Sequence, residues 1–295
     1  MLLKRIVTGL LLGAFAAGGL LWPGGVGAVW FLVLALGFVA LALTELAGLL
    51  GRAGSPVYTA PMTLAGLALV FGDLAPSLLG GVFVQWREGP FAAAALAVAV
   101  AWMAGLAARR PALGEGVRRL IASLGALLLV WGTLGWMPRL YGIAGCGLGE
   151  GRWLLLFMIA VTKAADIGAY ALGTWTAARP RGNHKMCPGL SPKKSWEGLA
   201  GGVVLAVAVA VALVWLWRER FALHGEPILT VWVAALLGAL FAVLGLAGDL
   251  TESMLKRAAG VKDSGALPGL GGCLDVVDSL IYVAPLFYAW VAWAR

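Results

Sequence analysis

The chain has 295 residues, 61% of them hydrophobic and only 12% charged, with a mean hydropathy of +0.92. A water-soluble domain of this size has no use for so much apolar sequence, so composition points to an all-α polytopic integral membrane protein. Lys and Arg number 22 against 14 Asp and Glu, giving +8; in a membrane protein that excess concerns which side of the bilayer carries it and is no sign of a nucleic-acid partner.

Apolar runs long enough to cross a bilayer fall at about 5–22, 26–50, 60–84, 91–108, 117–137, 152–173, 198–217, 228–248 and 274–293, which predicts about nine transmembrane helices. Asp73 and Pro76 interrupt the third run and predict a kink or a split there. Lys4 and Arg5 before the first run and Val26-Gly27-Ala28 after it look like a signal peptide with its cleavage site, but the charge distribution favours a retained helix. Nine spans put fifteen Lys and Arg on the side of the N-terminus and six on the other, with Lys163 inside a span. The positive-inside rule then makes the N-terminus and its loops cytoplasmic. Residues 1–150 form an N-terminal group of about five helices, and residues 151–295 carry the loops richest in polar residues.

Charged residues in a span cost roughly 2.5–3.5 kcal/mol each on insertion scales, so Asp73, Lys163 and Asp166 are expected to face protein or a wet cavity. Lys163 and Asp166, three apart, can neutralise each other. Glu45, near the end of the second run, is expected to snorkel. The longest polar connection, Thr174 to Glu197, reads as an irregular cationic loop. His184 and His224 fall on opposite predicted sides and cannot share a metal, while the three cysteines form no CxxC pair, so neither a thiolate site nor a disulfide framework is expected. No phosphate-binding loop, dinucleotide fingerprint, HExxH or GxSxG occurs. No internal repeat suggests transporter halves.

Gly248 to Leu280 holds five acidic and three basic residues. Read as a helix, Asp249, Glu252, Ser253 and Lys256 share one face, and Asp275 and Asp278, three apart, share another. Between them Gly265, Pro268, Gly269, Gly271 and Gly272 force a turn. Helix capping accounts for Asp275. It accounts poorly for Asp249, since a carboxylate at the C-terminal end of a span opposes the helix dipole unless a cation compensates. Carboxylates clustered with Lys256, Arg257 and Lys262 instead suggest an oxygen-ligated divalent metal beside phosphate. Lys193 and Lys194, between Pro192 and Ser195 at the start of a span, suit phosphate held at a helix N-terminus.

These residues resemble a known signature. Gly248-Asp249-Leu250-Thr251-Glu252-Ser253, Lys256-Arg257, Lys262-Asp263, Pro268-Gly269, Gly271-Gly272, Asp275 and Asp278-Ser279-Leu280 look like the C-terminal motif of the phosphatidate cytidylyltransferases, the CDP-diacylglycerol synthases. Asp166, Ala169-Tyr170, Gly173, His184-Lys185, Pro188, Ser191-Pro192-Lys193-Lys194-Ser195, Glu197-Gly198 and Gly201-Gly202 are similar to the family's upstream block, as is the opening Leu3 to Thr8. Leu270 stands where the family usually has His, Val276 where it has Arg, and the segment before Pro268 is one residue shorter.

The resemblance implies a membrane enzyme that joins CTP to phosphatidic acid, giving CDP-diacylglycerol and pyrophosphate. It implies Mg²⁺ on Asp249, Asp275 and Asp278, with a second cation beside it. Substrate binding would fall to Ser191, Lys193, Lys194, Ser195, Glu252 and Ser253, with the two lysines on the triphosphate. Catalysis would fall to Lys256, Arg257, Lys262 and Asp263, the cations neutralising lipid phosphate or pyrophosphate while Asp263 and Glu252 orient them. A homodimer in a bacterial inner membrane, in contact with its lipids, is the expected setting. The alternatives are a cytidylyltransferase for another lipid or polyprenyl phosphate, and a non-enzymatic transporter or scaffold.

Overall fold

A computed structural model describes residues 18–20, 22, 24–79, 90–143, 151–223, 226–265 and 271–294. Residues 5–17 of the first expected span, 80–84 of the third, Cys146, His224, Pro268, Gly269 and Leu270 lie outside these. The main helices are α1 (Gly24–Arg52), α2 (Thr59–Leu79), α3 (Pro90–Ala108), α4 (Leu113–Leu134), α5 (Trp136–Tyr141), α6 (Gly151–Ala177), α7 (Trp196–Trp217), α8 (Val231–Ala258), α9 (Cys273–Val277) and α10 (Val283–Trp293). Among the described residues six helices are long and apolar enough to cross a membrane, or seven if Cys273–Leu280 and Val283–Trp293 count as one broken span. The protein is therefore the expected all-α polytopic membrane protein, with six or seven spans among the described residues where the apolar runs predict nine. Thr59–Leu79 of the third run forms one helix, α2, and neither Asp73 nor Pro76 splits it.

The chain forms two compact units, Met1–Ile143 with Leu255–Val276, and Ala144–Met254 with Val277–Arg295. In the first, α1, α2, α3 and α4 pack through Leu43, Leu46, Leu49, Met62, Leu69, Met103, Leu127 and Val130, all essentially solvent-free, and Cys273 and Leu274 join the same core. Ser123 Oγ accepts the Tyr58 backbone N–H at 2.8 Å, satisfying a donor at the start of α2. Asp73 of α2 faces protein, as insertion energetics requires. It accepts from Arg139 Nε at 2.8 Å and from Trp131 Nε1 at 3.0 Å, while the guanidinium lies 4.4 Å over the Trp136 ring.

In the second unit α6 and α7 make the most extensive helix contact. Glycine permits it: a Cβ on Gly201 would meet the Gly168 carbonyl oxygen at 2.6 Å, so the two backbones touch. A cluster of Phe157 with Phe221, Phe241 and Phe287, centroids 5.4, 6.3 and 5.8 Å away, fills the interior between α6, α8 and α10. The Thr174–Glu197 connection is not irregular. It continues α6 to Ala177 and then forms an antiparallel hairpin, β1 (Lys185–Cys187) with β2 (Ser191–Ser195), pairing Lys185 with Ser195 and Cys187 with Ser191. Pro188 and Gly189 supply the turn, closed by Leu190 N–H to the Cys187 carbonyl at 3.1 Å, and Trp196 N–H to the His184 carbonyl at 3.0 Å joins the hairpin base to α7.

Replacing Arg139 by Met leaves the largely buried Asp73 carboxylate without its counter-ion, so the protein is expected to lose about 3 kcal/mol of stability. The check is the thermal midpoint in detergent, compared with the double substitution Asp73→Leu/Arg139→Met, which should recover most of the loss.

Candidate active site

In the second unit, β2 runs into α7 at Ser195, which is 3% exposed. Its hydroxyl accepts the Gly198 N–H at 3.1 Å and an Asn183 side-chain N–H at 3.2 Å. Ser195 is thus the N-cap of α7, and the cap fixes where the preceding Lys194 emerges. Lys194 forms an ion pair with Asp249 of α8; the two side chains are 29% and 15% exposed. α8 continues past Asp249 to Ala258, so Lys194 compensates a carboxylate within the helix rather than one at its C-terminal end.

Asp278 reaches the same region because Gly248 has no side chain. A Cβ there would collide with the Asp278 carbonyl, so the 3-10 turn Asp278–Leu280 rests directly on α8. Asp278 Oδ1 accepts the Ser279 N–H at 2.7 Å, and Thr251 and Tyr282 hydroxyls share a hydrogen bond at 3.0 Å that pins the turn's far end. The fully buried Ser279 hydroxyl donates to Asp166 Oδ2 at 3.1 Å and accepts from Lys163 Nζ at 2.8 Å. Lys163 and Asp166 also pair directly at 3.1 Å, as their spacing predicts. Asp166, Asp249 and Asp278 lie near enough to repel one another, with Lys163 and Lys194 as the opposing cations.

Asp166, Lys194 and Asp249 line a cavity of about 280 Å³ together with Tyr170, Ser191, Lys193, Ser195, Leu199 and Leu246. The lining mixes charged side chains with apolar helix residues. Lys193 is exposed. Glu252 on α8 is 2% exposed, and Ser253 beside it is half-buried. The exposed His184 has a ring nitrogen 2.6 Å from Glu197, which also accepts its backbone N–H.

The remaining predicted residues belong to the first unit. Lys256 Nζ bonds Asp275 Oδ1 at 3.0 Å, and Asp275 Oδ2 accepts the Gly272 N–H at 2.8 Å, reaching back three residues to cap α9. The capping explanation of Asp275 therefore holds for one of its oxygens. Arg257, Lys262 and Asp263 are exposed. Asp275 and Asp278 do not share an α-helical face, because α9 stops at Val277 and Asp278 opens the 3-10 turn. Among the described residues no group of three or more His, Cys, Asp or Glu is arranged to hold a metal ion. The donor chemistry nevertheless suits one: Asp249 and Asp278 offer hard carboxylate oxygens, and Mg²⁺ commonly takes one or two carboxylates with substrate phosphates completing its shell.

Comparison with known sequences decides the family. The profile described as "Cytidylyltransferase family" matches residues 3–294. The chain belongs to the cytidylyltransferase family. It is 41% identical over 139 residues to the phosphatidate cytidylyltransferase of Haemophilus influenzae, covering 47% of this chain and 45% of that protein. Similar matches are those of Mycobacterium bovis, 41% over 130 residues covering 44% and 38%, and Synechocystis, 42% over 144 residues covering 48% and 44%. The chain thus spans less than half the length of these curated relatives.

Within this family member, sequence reasoning left Lys163, Asp166 and Ser279 out of the site and set Glu45 aside. Glu45 does not snorkel: it accepts the Cys273 N–H at 2.8 Å and the Leu274 N–H at 3.0 Å. For Lys163, Asp166 and Glu45 the available signal was cost, since an ionisable group in an apolar run needs a partner.

Replacing Gly248 by Ala is expected to destabilise the protein by about 1–3 kcal/mol, because backbone rather than a flexible side chain must yield. The control is Gly37→Ala, where a Cβ meets nothing within 4 Å; only the first should lower the thermal midpoint.

Proposed function

We propose that this family member is a phosphatidate cytidylyltransferase, a membrane nucleotidyltransferase that joins CTP and phosphatidic acid to give CDP-diacylglycerol and pyrophosphate. The observation that carries this reading is the cavity of the second unit, where a cationic hairpin and carboxylates meet apolar helix. A reaction between a water-soluble nucleotide and a membrane lipid needs such a boundary. Relatives named phosphatidate cytidylyltransferase, at about 41% identity, support the same substrate pair.

In this reaction a phosphate oxygen of the lipid attacks the α-phosphorus of CTP. A new P–O bond forms as the bond from the α-phosphorus to the bridging oxygen breaks, and pyrophosphate leaves with that oxygen. An ionised phosphate is its own nucleophile, so no general base is needed, and catalysis is positioning and charge neutralisation. Lys193 and Lys194 would receive the triphosphate, with Ser191 donating beside them. Ser195 keeps Lys194 in place through its cap. Asp249 and Asp278 would hold Mg²⁺, which when bound neutralises phosphate charge. Lys163 and Ser279 would hold Asp166 and Asp278 in register for it. Leu199, Leu246 and Tyr170 would form the apolar side along which lipid enters. Lys256 and Asp275, paired in the first unit, are assigned to the reaction on the signature to which they belong. By the positive-inside rule the hairpin faces the cytoplasm, where CTP is found.

Detergent-purified protein given phosphatidic acid, Mg²⁺ and cytidine-labelled CTP is expected to put label into chloroform-extractable lipid, and EDTA should abolish this. Asp249→Asn should lower kcat on the order of 100-fold while the protein stays folded. A monodisperse sample that labels no lipid phosphate would overturn the reading.

A further inference from the structure

Glu45 lies on α1, and its carboxylate takes three donors from a segment more than two hundred positions away. Oε1 accepts the Cys273 N–H at 2.8 Å, and Oε2 accepts the Leu274 N–H at 3.0 Å and the Ser264 hydroxyl at 3.3 Å. Cys273 and Leu274 are the first two residues of α9, whose N–H groups have no partner within the helix. Both residues are at most 3% exposed, so water does not serve them instead. Close approach is built in: a Cβ on Gly272 would stand 2.6 Å from Glu45 Oε2. The Cys273 thiol adds a contact to the Phe38 carbonyl at 3.6 Å, two turns earlier on α1.

One carboxylate therefore holds Ser264 on one side and Cys273 with Leu274 on the other. The next residue along the chain is Asp275, which caps the same helix through Gly272 and pairs with Lys256. Glu45 caps α9 from outside and Asp275 caps it from within, so the orientation of Asp275 depends on the helix start that Glu45 fixes. We propose that Glu45 is a positioning residue for the transfer reaction: it holds the start of α9 so that Asp275 and Lys256 present a fixed carboxylate–ammonium pair. This rests on the functional reading above only where Asp275 and Lys256 act in the reaction. The anchoring itself rests on geometry alone.

The test uses the full chain in detergent, comparing wild type, Glu45→Gln and Glu45→Asp by hydrogen–deuterium exchange and by steady-state cytidine transfer. Gln keeps the length but turns an NH₂ group towards donors; Asp keeps the charge one methylene shorter. In wild type the Cys273 and Leu274 amides should be protected. In Glu45→Gln exchange of the 272–275 amides should rise at least about tenfold with other segments unchanged. Its kcat per folded molecule should fall on the order of 100-fold, as for a misplaced catalytic group, while KM for CTP stays within about threefold. Glu45→Asp should recover part of both. Rapid exchange of the two amides in wild type overturns the proposal, whether or not a variant folds. So does unchanged kcat per folded molecule in Glu45→Gln. If wild type transfers no cytidine, the functional reading fails instead, and the exchange comparison still decides the anchoring.

Discussion

Pairing of charge in an apolar chain is the constraint on which most of this structure depends. A carboxylate carried into a span is tolerated only where a cation or backbone N–H groups replace the water it has lost. Asp73 takes Arg139 and Trp131, Asp166 takes Lys163 and Ser279, Asp249 takes Lys194, and Glu45 takes two amides and a hydroxyl. Nearly all of these pairings join distant parts of the chain, so the same contacts that make the charges tolerable also fix the fold. Asp73 ties α2 to α4 and α5, Asp166 ties α6 to the turn after α9, and Asp249 ties α8 to the hairpin.

The second unit turns that requirement to use. Its three neighbouring carboxylates face two ammonium groups, with an exposed lysine adjoining. Phosphate and a hard divalent cation are the ligands that such a mixture suits. Close packing supplies the rest: Gly248 lets the turn at Asp278 lie against α8, and the touching glycines of α6 and α7 bring Asp166 beside the hairpin that carries Lys193 and Lys194. Small residues here decide where the charged ones can stand.

The first unit meets the same requirement in another form. Asp275, the partner of Lys256, is set by a helix only five residues long, which has little stability of its own. Capping from both sides, by Asp275 within and Glu45 from α1, compensates for that shortness. The arrangement places a polar anchor inside a span, where its three donors offset the cost of carrying a carboxylate.

Much was legible in the sequence. Apolar runs determined the all-α membrane class, because spanning a bilayer requires every backbone group to be satisfied within the helix. The i, i+3 spacing of Lys163 and Asp166 predicted their ion pair; a cation was also called for at Asp249, but on the expectation of a helix end that the structure places at Ala258 instead. Spaced motifs from Asp166 to Leu280 led to the family. Tertiary structure alone decided the partners: that Lys194 meets Asp249, that Arg139 meets Asp73, that Ser279 bridges Lys163 and Asp166, and that Glu45 caps α9. It also decided that Thr174 to Glu197 pairs into a hairpin and that α9 stops before Asp278. The physical reason is range. Helix periodicity acts over a few residues and can be read along the chain, whereas these hydrogen bonds join groups tens to hundreds of residues apart, and only packing brings them together.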